Sequence, residues 1–183
     1  SIVMPVYNEQ EIIETVVKSW YDALELLNID FVMRCYNDGS SDQTGDILNQ
    51  FAGSLPRLIV NNKVNSGHGP TILKGYLDSE ASDWVFQVES DNEILPDQFN
   101  RLWEIKDQFD FVLGQRSHSE FPISRRIISY FAHQVIKLGF NSAIKDVNSP
   151  FRLMRTRKVV PLIRSIPPDT FAPNILISGL AAA

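Results

Sequence analysis

Cysteine is almost absent from this chain, and long apolar runs and basic tracts are missing altogether. The single cysteine, Cys35, excludes an internal disulfide and favours a reducing compartment. No apolar run is long enough to cross a bilayer, and no signal peptide is recognisable. Lys and Arg total 17 against 22 Asp and Glu, for a formal net charge of -5. This balance argues against a nucleic-acid-binding protein, which would normally carry a basic face.

Several familiar catalytic and cofactor motifs are also missing. No G-x-G-x-x-G follows the first apolar run, and no Walker A lysine motif occurs. The three histidines, His68, His118 and His133, show neither metal-ligand nor triad spacing, so Ser-His-Asp catalysis has no support. His68 and His118 fall in loops that could border a site. Cys35 lies in an apolar run, which predicts a buried strand residue rather than a nucleophile.

The composition that is present describes one globular domain. The chain has 183 residues, of which 44% are hydrophobic and 21% charged, values typical of a soluble domain with a real core. It begins inside an apolar run without Met and ends on three alanines. We therefore expect residues 1–183 to form a single domain cut from a longer protein at both ends.

Short apolar runs alternate with longer amphipathic stretches, and this pattern predicts an α/β fold with a mainly parallel sheet. Asn8 and Glu11 have the spacing of a capping box before the first helix. The predicted strands cover residues 1–6, 29–36, 57–60, 84–88, 111–114 and 151–154. The helices that follow the first are predicted at residues 44–51, 71–77, 96–109 and 124–138.

Polar clusters follow three of the predicted strands. They occupy residues 7–9, 37–40 and 89–91. In an open α/β sheet, ligands bind outside the carboxyl ends of the strands, so the three clusters should converge on one site. A single polar turn would carry little weight, because turns are generally polar.

Glu89 and Asp91 are the best candidates for a metal site. Two carboxylates one residue apart at a strand end repel each other unless a cation lies nearby. Their hard oxygen atoms suit Mg²⁺ or Mn²⁺, which bind one or two carboxylates together with substrate phosphates. The alternative is an exposed acidic turn before the next helix.

Glycine and arginine residues supply candidate anion contacts. Gly67 and Gly69 precede a helix whose N-terminal amides could hold a phosphate, although a tight loop would require glycine equally well. Arg116, Arg126 and Arg152 carry planar guanidinium groups that suit phosphate. Any one of these arginines could equally be an ordinary surface residue.

Taken in order, these segments resemble glycosyltransferase family 2, whose members are inverting enzymes with the GT-A fold. The branch with dolichyl- and polyprenyl-phosphate sugar synthases is the most similar, and the resemblance covers about residues 1–156. The segments that carry it are residues 3–9, 37–44, 65–69 with Gly75, 89–91 at the position of the family's D-x-D, 114–116, 125–129 and 146–152.

The resemblance implies a role for each matching residue. The nucleotide-binding residues would be Pro5, Tyr7, Glu9, Asp38, Gly67, Gly69 and Glu89. The catalytic residues would be Asp91, Arg116 and Asp146, with Glu89 and Asp91 around the metal, and Arg126 and Arg152 at the acceptor or a phosphate. The fold implied is a GT-A fold, a Rossmann-like α/β arrangement of a mostly parallel sheet flanked by helices.

The implied activity is transfer of a sugar from a nucleotide-sugar donor to a polyprenyl phosphate or a membrane-glycan acceptor. The reaction would invert the anomeric centre, with Mg²⁺ or Mn²⁺ as cofactor. It would take place on the cytoplasmic side of a membrane, with attachment through other parts of the protein or through the basic amphipathic stretch 124–138.

Departures from the family pattern keep two alternatives open. Asn37 and Glu89 replace aspartates of the family motifs, and Glu93 adds an anion near the predicted site. These substitutions motivate the alternative of a catalytically silent nucleotide-sugar-binding module. A nucleotidyltransferase of similar fold is disfavoured, because residues 7–9 do not form a glycine-rich basic loop.

Overall fold

A computed structural model of the chain describes residues 1–114 and 146–182. The strands are β1 (Ile2–Val6), β2 (Met33–Asn37), β3 (Leu58–Asn62), β4 (Trp84–Gln87), β5 (Phe111–Leu113) and β6 (Arg152–Arg155). The α-helices are α1 (Ile13–Leu26), α2 (Thr44–Ala52), α3 (His68–Leu77), α4 (Phe99–Glu104), α5 (Thr156–Ile163) and α6 (Pro173–Ala182).

The six strands form one sheet in the order β3-β2-β1-β4-β6-β5. Strands β1 to β4 pair in parallel, whereas β6 is antiparallel to both β4 and β5. The chain runs from β1 outward to β3 and then returns to place β4 on the other side of β1. This reversal is a topological switch point, where the connections diverge and leave an opening for a ligand. The predicted α/β fold is confirmed.

Side chains of β1 alternate between two cores because successive strand residues point to opposite faces. Ile2 and Met4 belong to the core on the α1 face, with Trp20 at its centre. Val3 belongs to the core on the other face, with Tyr76 of α3. Helices therefore cover both faces of the sheet, which leaves its edges and strand ends as the places for a site.

The predicted capping box at Asn8 is wrong. Helix α1 begins at Ile13, and its N-cap residue, Ile12, makes no side-chain capping hydrogen bond. Asn8 instead adopts a left-handed conformation with φ of 54°, and its Oδ1 accepts a hydrogen bond from the Ser41 amide at 2.8 Å. The side chain thus ties two loops together rather than starting a helix.

Other element boundaries also differ from the sequence predictions. Helix α3 begins at His68, three residues earlier than predicted. The long helix predicted at 96–109 is α4 flanked by two 3₁₀ turns, Pro96–Gln98 and Lys106–Gln108. The helix predicted at 124–138 lies outside the described residues.

Candidate active site

The polar clusters at the strand ends come together around the switch point between β1 and β4. Tyr7 and Glu9 follow β1, Asp38 follows β2, and Glu89 and Asp91 follow β4. They line a cavity of about 370 Å³, called here the Tyr7 cavity. Its walls are formed by Pro5, Val6, Tyr7, Glu9, Asp38, Asn65, Gly67, His68, Thr71, Glu89, Ser90 and Asp91.

The loops after β1 and β2 hold each other in place through reciprocal hydrogen bonds. The Asn8 amide donates to Ser40 Oγ at 2.9 Å, and the Glu9 amide donates to Thr44 Oγ1 at 2.8 Å. The Asn8–Ser41 contact described above runs in the opposite direction. Because backbone amides of one loop use side chains of the other, the position of Glu9 depends on the motif at 37–44.

Asp38 organises the loop that leads into α3. Its Oδ1 accepts from the Ser66 amide and its Oδ2 from the Gly67 amide, both at 2.9 Å, and Lys63 Nζ forms an ion pair with it. Burial would raise the pKa of the Asp38 carboxyl, but the hydrogen bonds from Lys63 and Ser66 hold that pKa below its ordinary value. The carboxylate therefore stays ionised and anchors the wall of the Tyr7 cavity.

Glu89 and Asp91 enter the cavity from the end of β4. Glu89 Oε1 accepts from Gln87 Nε2 at 2.7 Å and lies 3.4 Å from His68 Nε2. Asp91 Oδ1 accepts from the Glu93 amide at 3.0 Å. Desolvation, followed by the charges of Asp91 and Asp42, raises the pKa of Glu9. The cavity thus concentrates negative charge at one side.

The donor set fits a hard divalent cation that also binds a substrate phosphate. Glu89 and Asp91 line the same cavity. Within residues 1–114 and 146–182, no three His, Cys, Asp or Glu side chains are grouped closely enough to hold a metal alone. Mg²⁺ typically takes one or two carboxylates and completes its octahedron with water and substrate phosphates. Two carboxylates facing an open cavity match that requirement.

A second cavity adjoins the first. It has a volume of about 320 Å³ and is called here the Phe171 cavity. His68, Glu89 and Asp91 line both cavities. The remaining walls of the Phe171 cavity are Ile72, Glu93, Ile94, Asn148, Pro150, Phe171, Ala172, Pro173 and Asn174. Glu89 and Asp91, called here the acidic pair, therefore form with His68 a wall that the two cavities share.

The two predicted loop glycines have different surroundings. Gly67 lines the Tyr7 cavity as N-cap of α3, with φ of 90° and ψ of 161°, a conformation almost restricted to glycine. Gly69 lines neither cavity. A Cβ at Gly69 would lie 2.0 Å from the Thr170 carbonyl oxygen and 2.5 Å from that of Phe171. Gly69 lets the start of α3 pack against the chain before α6.

Besides Gly69, two predicted site residues lie away from the two cavities, and two more lie outside the described residues. Asp146 is buried at 8% exposure and Arg152 is fully buried, and neither lines the Tyr7 cavity or the Phe171 cavity. The Arg152 guanidinium donates to the carbonyl oxygens of Val147, Ser149 and Asn174 at 2.6–3.2 Å. These contacts give Arg152 a role in holding the chain together. Arg116 and Arg126 lie outside the described residues.

The structure adds residues that the sequence did not single out. Lys63 anchors Asp38, and Gln87 contacts Glu89 from inside the sheet. His68, left open from sequence, lies between the two cavities. A polar Gln at the end of an apolar strand is the one signal that could have indicated Gln87.

Cys35 is buried in β2, and burial raises the pKa of its thiol to about 12, as expected for an unreactive residue.

A third cavity, of about 330 Å³, lies at the amino-terminal ends of β1 and β4. Ser1, Asp30 and Trp84 are among its lining residues, and none of the predicted site residues within 1–114 and 146–182 lines it. Ligands of open α/β sheets bind at the carboxyl ends of the strands. We therefore assign the site to the Tyr7 and Phe171 cavities.

Two curated relatives with sequence similarity carry the same name. A protein of Yersinia enterocolitica, named undecaprenyl-phosphate 4-deoxy-4-formamido-L-arabinose transferase, is 25% identical over 176 residues. The match covers 94% of this chain and 54% of that protein. A protein of Edwardsiella ictaluri with the same name is 27% identical, over 99% of this chain and 56% of its own length. The chain spans about half the length of the curated relatives it matches.

Solved structures with a similar fold are more distant in sequence. S. aureus TarS 1-349 superposes with a TM-score of 0.65 at 20% identity, over 99% of this chain and 54% of that one. A second structure is glucosyl-3-phosphoglycerate synthase from Mycobacterium tuberculosis, solved with Mn²⁺, uridine diphosphate and phosphoglyceric acid. It superposes with a TM-score of 0.65 at 16% identity, over 86% of this chain and 56% of that one. At such identities these likenesses show the GT-A fold alone.

The family model described as glycosyl transferase family 2 matches residues 1–160, and the chain belongs to that family.

Proposed function

We propose that this chain is the catalytic domain of an inverting glycosyltransferase that uses a nucleotide-sugar donor with a Mg²⁺ or Mn²⁺ ion. The observation that carries the proposal is the Tyr7 cavity. Pro5, Tyr7 and Glu9, which we propose as nucleotide contacts, line this cavity together with the carboxylates Glu89 and Asp91, at the switch point of the sheet. Membership of the family supports the same reading.

The donor would lie along the Tyr7 cavity with its diphosphate toward the acidic pair. Tyr7 is half exposed and offers an aromatic ring to a nucleotide base. Gly67 lies at the N-terminus of α3, and helix N-termini attract anions. The Gly67 amide itself donates to Asp38. Similar structures have been solved with UDP and with UDP-GlcNAc, so UDP is the first nucleotide to test here.

Glu89 and Asp91 would hold the divalent ion. A bound Mg²⁺ or Mn²⁺ supplies Lewis-acid stabilisation of the charge that develops on the leaving diphosphate. The protein contributes rigidity: Gln87 fixes Glu89, and the Glu93 amide fixes Asp91. A preorganised site of this kind avoids reorganisation during the reaction.

The acceptor would enter through the Phe171 cavity. Because this cavity shares Glu89, Asp91 and His68 with the Tyr7 cavity, an acceptor bound there would lie next to the donor. We infer that its nucleophile would attack from the side away from the nucleotide. Displacement from that side inverts the anomeric configuration. The apolar residues Ile94 and Pro150 suit an acceptor with a hydrocarbon portion.

A polyprenyl phosphate is the acceptor that we favour over a membrane glycan. Curated relatives are named as transferases acting with undecaprenyl phosphate. A phosphate oxygen is already anionic and needs no general base, whereas a hydroxyl acceptor does. Asp146, implied by the resemblance as a catalytic residue, would be a candidate base for a hydroxyl acceptor, but it does not line either cavity. Its position therefore agrees with an anionic acceptor.

The site of action would be the cytoplasmic face of a membrane, because a polyprenyl phosphate resides in the bilayer. Among the residues that the structure describes, no helix has the length and hydropathy needed to cross it. The predicted phosphate contacts Arg116 and Arg126 would complete the acceptor side. Both arginines lie in the segment 115–145, outside the described residues.

The proposal is tested by turnover. The protein is incubated with a panel of UDP-, GDP-, CDP- and dTDP-sugars, Mn²⁺ and undecaprenyl phosphate in detergent, and the lipid product is detected by mass spectrometry. Formation of a glycosyl phosphoryl lipid from one donor, with the anomeric configuration inverted, supports the proposal. Nucleotide binding without any transfer or hydrolysis would instead favour the catalytically silent module.

A further inference from the structure

A buried polar cluster lies directly behind Glu89. It consists of Tyr76 on α3, Gln87 at the end of β4 and Asn174 on α6, and is called here the Gln87 cluster. The three residues are between 0% and 3% exposed. Buried polar groups are costly unless all of them are hydrogen-bonded, so such a cluster in an otherwise apolar core calls for a reason.

Hydrogen bonds fix the orientation of the Gln87 side-chain amide. Its Oε1 accepts from Asn174 Nδ2 at 3.0 Å and contacts the Tyr76 hydroxyl. Its Nε2 donates to Glu89 Oε1 at 2.7 Å. A rotated amide would face Asn174 Nδ2 with another donor and Glu89 with another acceptor. The two ends of the amide are therefore not interchangeable.

Strand geometry directs this amide toward the site. Gln87 and Glu89 are two residues apart at the end of β4, and alternate residues of a strand share a face. In the register of the sheet, Gln87 lies between Val3 of β1 and Arg152 of β6. From this central position the Gln87 amide contacts α3 and α6 through its Oε1 and the Glu89 carboxylate through its Nε2.

Helix α6 is held in turn by the same core. Arg152 Nη1 donates to the Asn174 carbonyl oxygen at 3.2 Å, and Ser178 Oγ donates to the Val147 carbonyl oxygen at 2.7 Å. Asn174 and Pro173 also line the Phe171 cavity. The start of α6 thus lines the Phe171 cavity and is connected through Gln87 to Glu89.

We propose that Gln87 is a positioning residue, whose amide holds the Glu89 carboxylate in place for the metal and diphosphate, with Asn174 locking the orientation of that amide. The inference deepens the proposed function and rests on it. It assigns a role to a side chain that none of the family-resembling motifs includes. Partners in this position typically change metal affinity or activity by about 10- to 100-fold when mutated.

A double-mutant cycle on binding tests whether Gln87 acts through Glu89. UDP affinity is measured by calorimetry with and without Mn²⁺ for the wild type, Gln87→Met, Glu89→Ala and the double variant. We expect Gln87→Met to weaken Mn²⁺-dependent binding about 10-fold or more in the wild-type background, and less than about two-fold in Glu89→Ala. Equal losses in both backgrounds, or no loss in either, overturn the proposal.

Two further variants keep the test valid if Gln87→Met is poorly folded. Gln87→Glu retains an acceptor oxygen for Tyr76 and Asn174 but has no N–H for Glu89, so it should show the same loss of binding. Ser178→Ala is the matched control, since it removes two buried hydrogen bonds of α6, to the Val147 carbonyl oxygen and from Arg152, neither of which involves Gln87. A loss in Ser178→Ala as large as in Gln87→Glu would overturn the proposal.

A spectroscopic measurement separates this inference from the proposed function. The Gln87 side-chain amide protons are observed by NMR in the wild type and in Glu89→Ala, without nucleotide. We expect slow exchange in the wild type and an upfield shift of one proton when the carboxylate is removed; an unmoved resonance contradicts the proposal. If the wild type binds no nucleotide, the proposed function fails, and this measurement alone decides on Gln87.

Discussion

His68 Nε2 lies 3.4 Å from Glu89 Oε1, and this pair joins the N-terminus of α3 to the end of β4. Burial alone would lower the pKa of His68, but the hydrogen bond and charge of Glu89 raise it above its ordinary value. Both residues line both cavities. The pair therefore forms the wall that the Tyr7 and Phe171 cavities share.

Tyr7 provides a prediction for the base end of the donor. Replacing Tyr7 by Ala should weaken UDP binding by about 1–3 kcal/mol if the ring stacks on the base. Stability should change by less than about 0.5 kcal/mol, since the side chain is half exposed. Calorimetry and denaturant unfolding measure the two effects. Tyr7→Phe is the control that keeps the ring, and an equal loss of affinity in Tyr7→Phe would contradict stacking.

Gly69 provides a prediction on stability. Gly69→Ala should destabilise the fold by about 1–3 kcal/mol, because its Cβ would overlap the carbonyl oxygens of Thr170 and Phe171. Gly53→Ala is the matched control, since its nearest neighbour would be 3.4 Å away. Urea unfolding compares the two variants. A Gly69→Ala protein as stable as Gly53→Ala would show that α3 does not pack there as described.

Asp38 provides a prediction on acid sensitivity. Because its folded-state pKa is lowered from 3.8, its ionisation stabilises the fold above that pH. The contribution disappears as pH falls through the lower, folded-state pKa. Asp38→Asn should cost about 2 kcal/mol at neutral pH, and the difference from the wild type should shrink on acidification.

The measurement for Asp38 is urea unfolding between pH 7 and pH 2, because the contribution of the carboxylate is lost only below pH 3.8. Asp22→Asn serves as control because it removes only the exposed ion pair with Lys18, and such pairs contribute about 0–1 kcal/mol. A wild-type–Asp38→Asn difference that does not depend on pH would contradict the role assigned to the carboxylate.

Much of the fold could be predicted from the sequence because strand ends and helices follow local patterns. The runs that became β1 and β4 are short and apolar, and the polar residues after them mark where the strands stop. The prediction for Asn8 was wrong. Its side chain resembles a helix cap locally, but it bonds to Ser41, which is 33 residues away, and no local pattern encodes that contact.

The site was predictable only in part, for the same reason. Glu89 and Asp91 stand out as a pair in the sequence, whereas Gln87 gains its significance from Tyr76 and Asn174, and the bond from Asn174 spans 87 residues. Arg152 shows the opposite case. Its chemistry suits phosphate, yet the antiparallel pairing of β6 buries it among carbonyl oxygens.

The central claim is that Glu89 and Asp91 bind a divalent ion together with a nucleoside diphosphate. The most direct test is calorimetric titration of UDP, GDP, CDP and dTDP, with and without Mn²⁺, into the wild type, Asp91→Ala and Asp97→Ala. The last variant is the control, because Asp97 is an exposed acid six residues from Asp91 that lines neither cavity. We predict Mn²⁺-dependent binding of one nucleotide that Asp97→Ala keeps and Asp91→Ala loses. Absence of nucleotide binding in the folded wild type, or unchanged Mn²⁺-dependent binding in Asp91→Ala, would contradict the account.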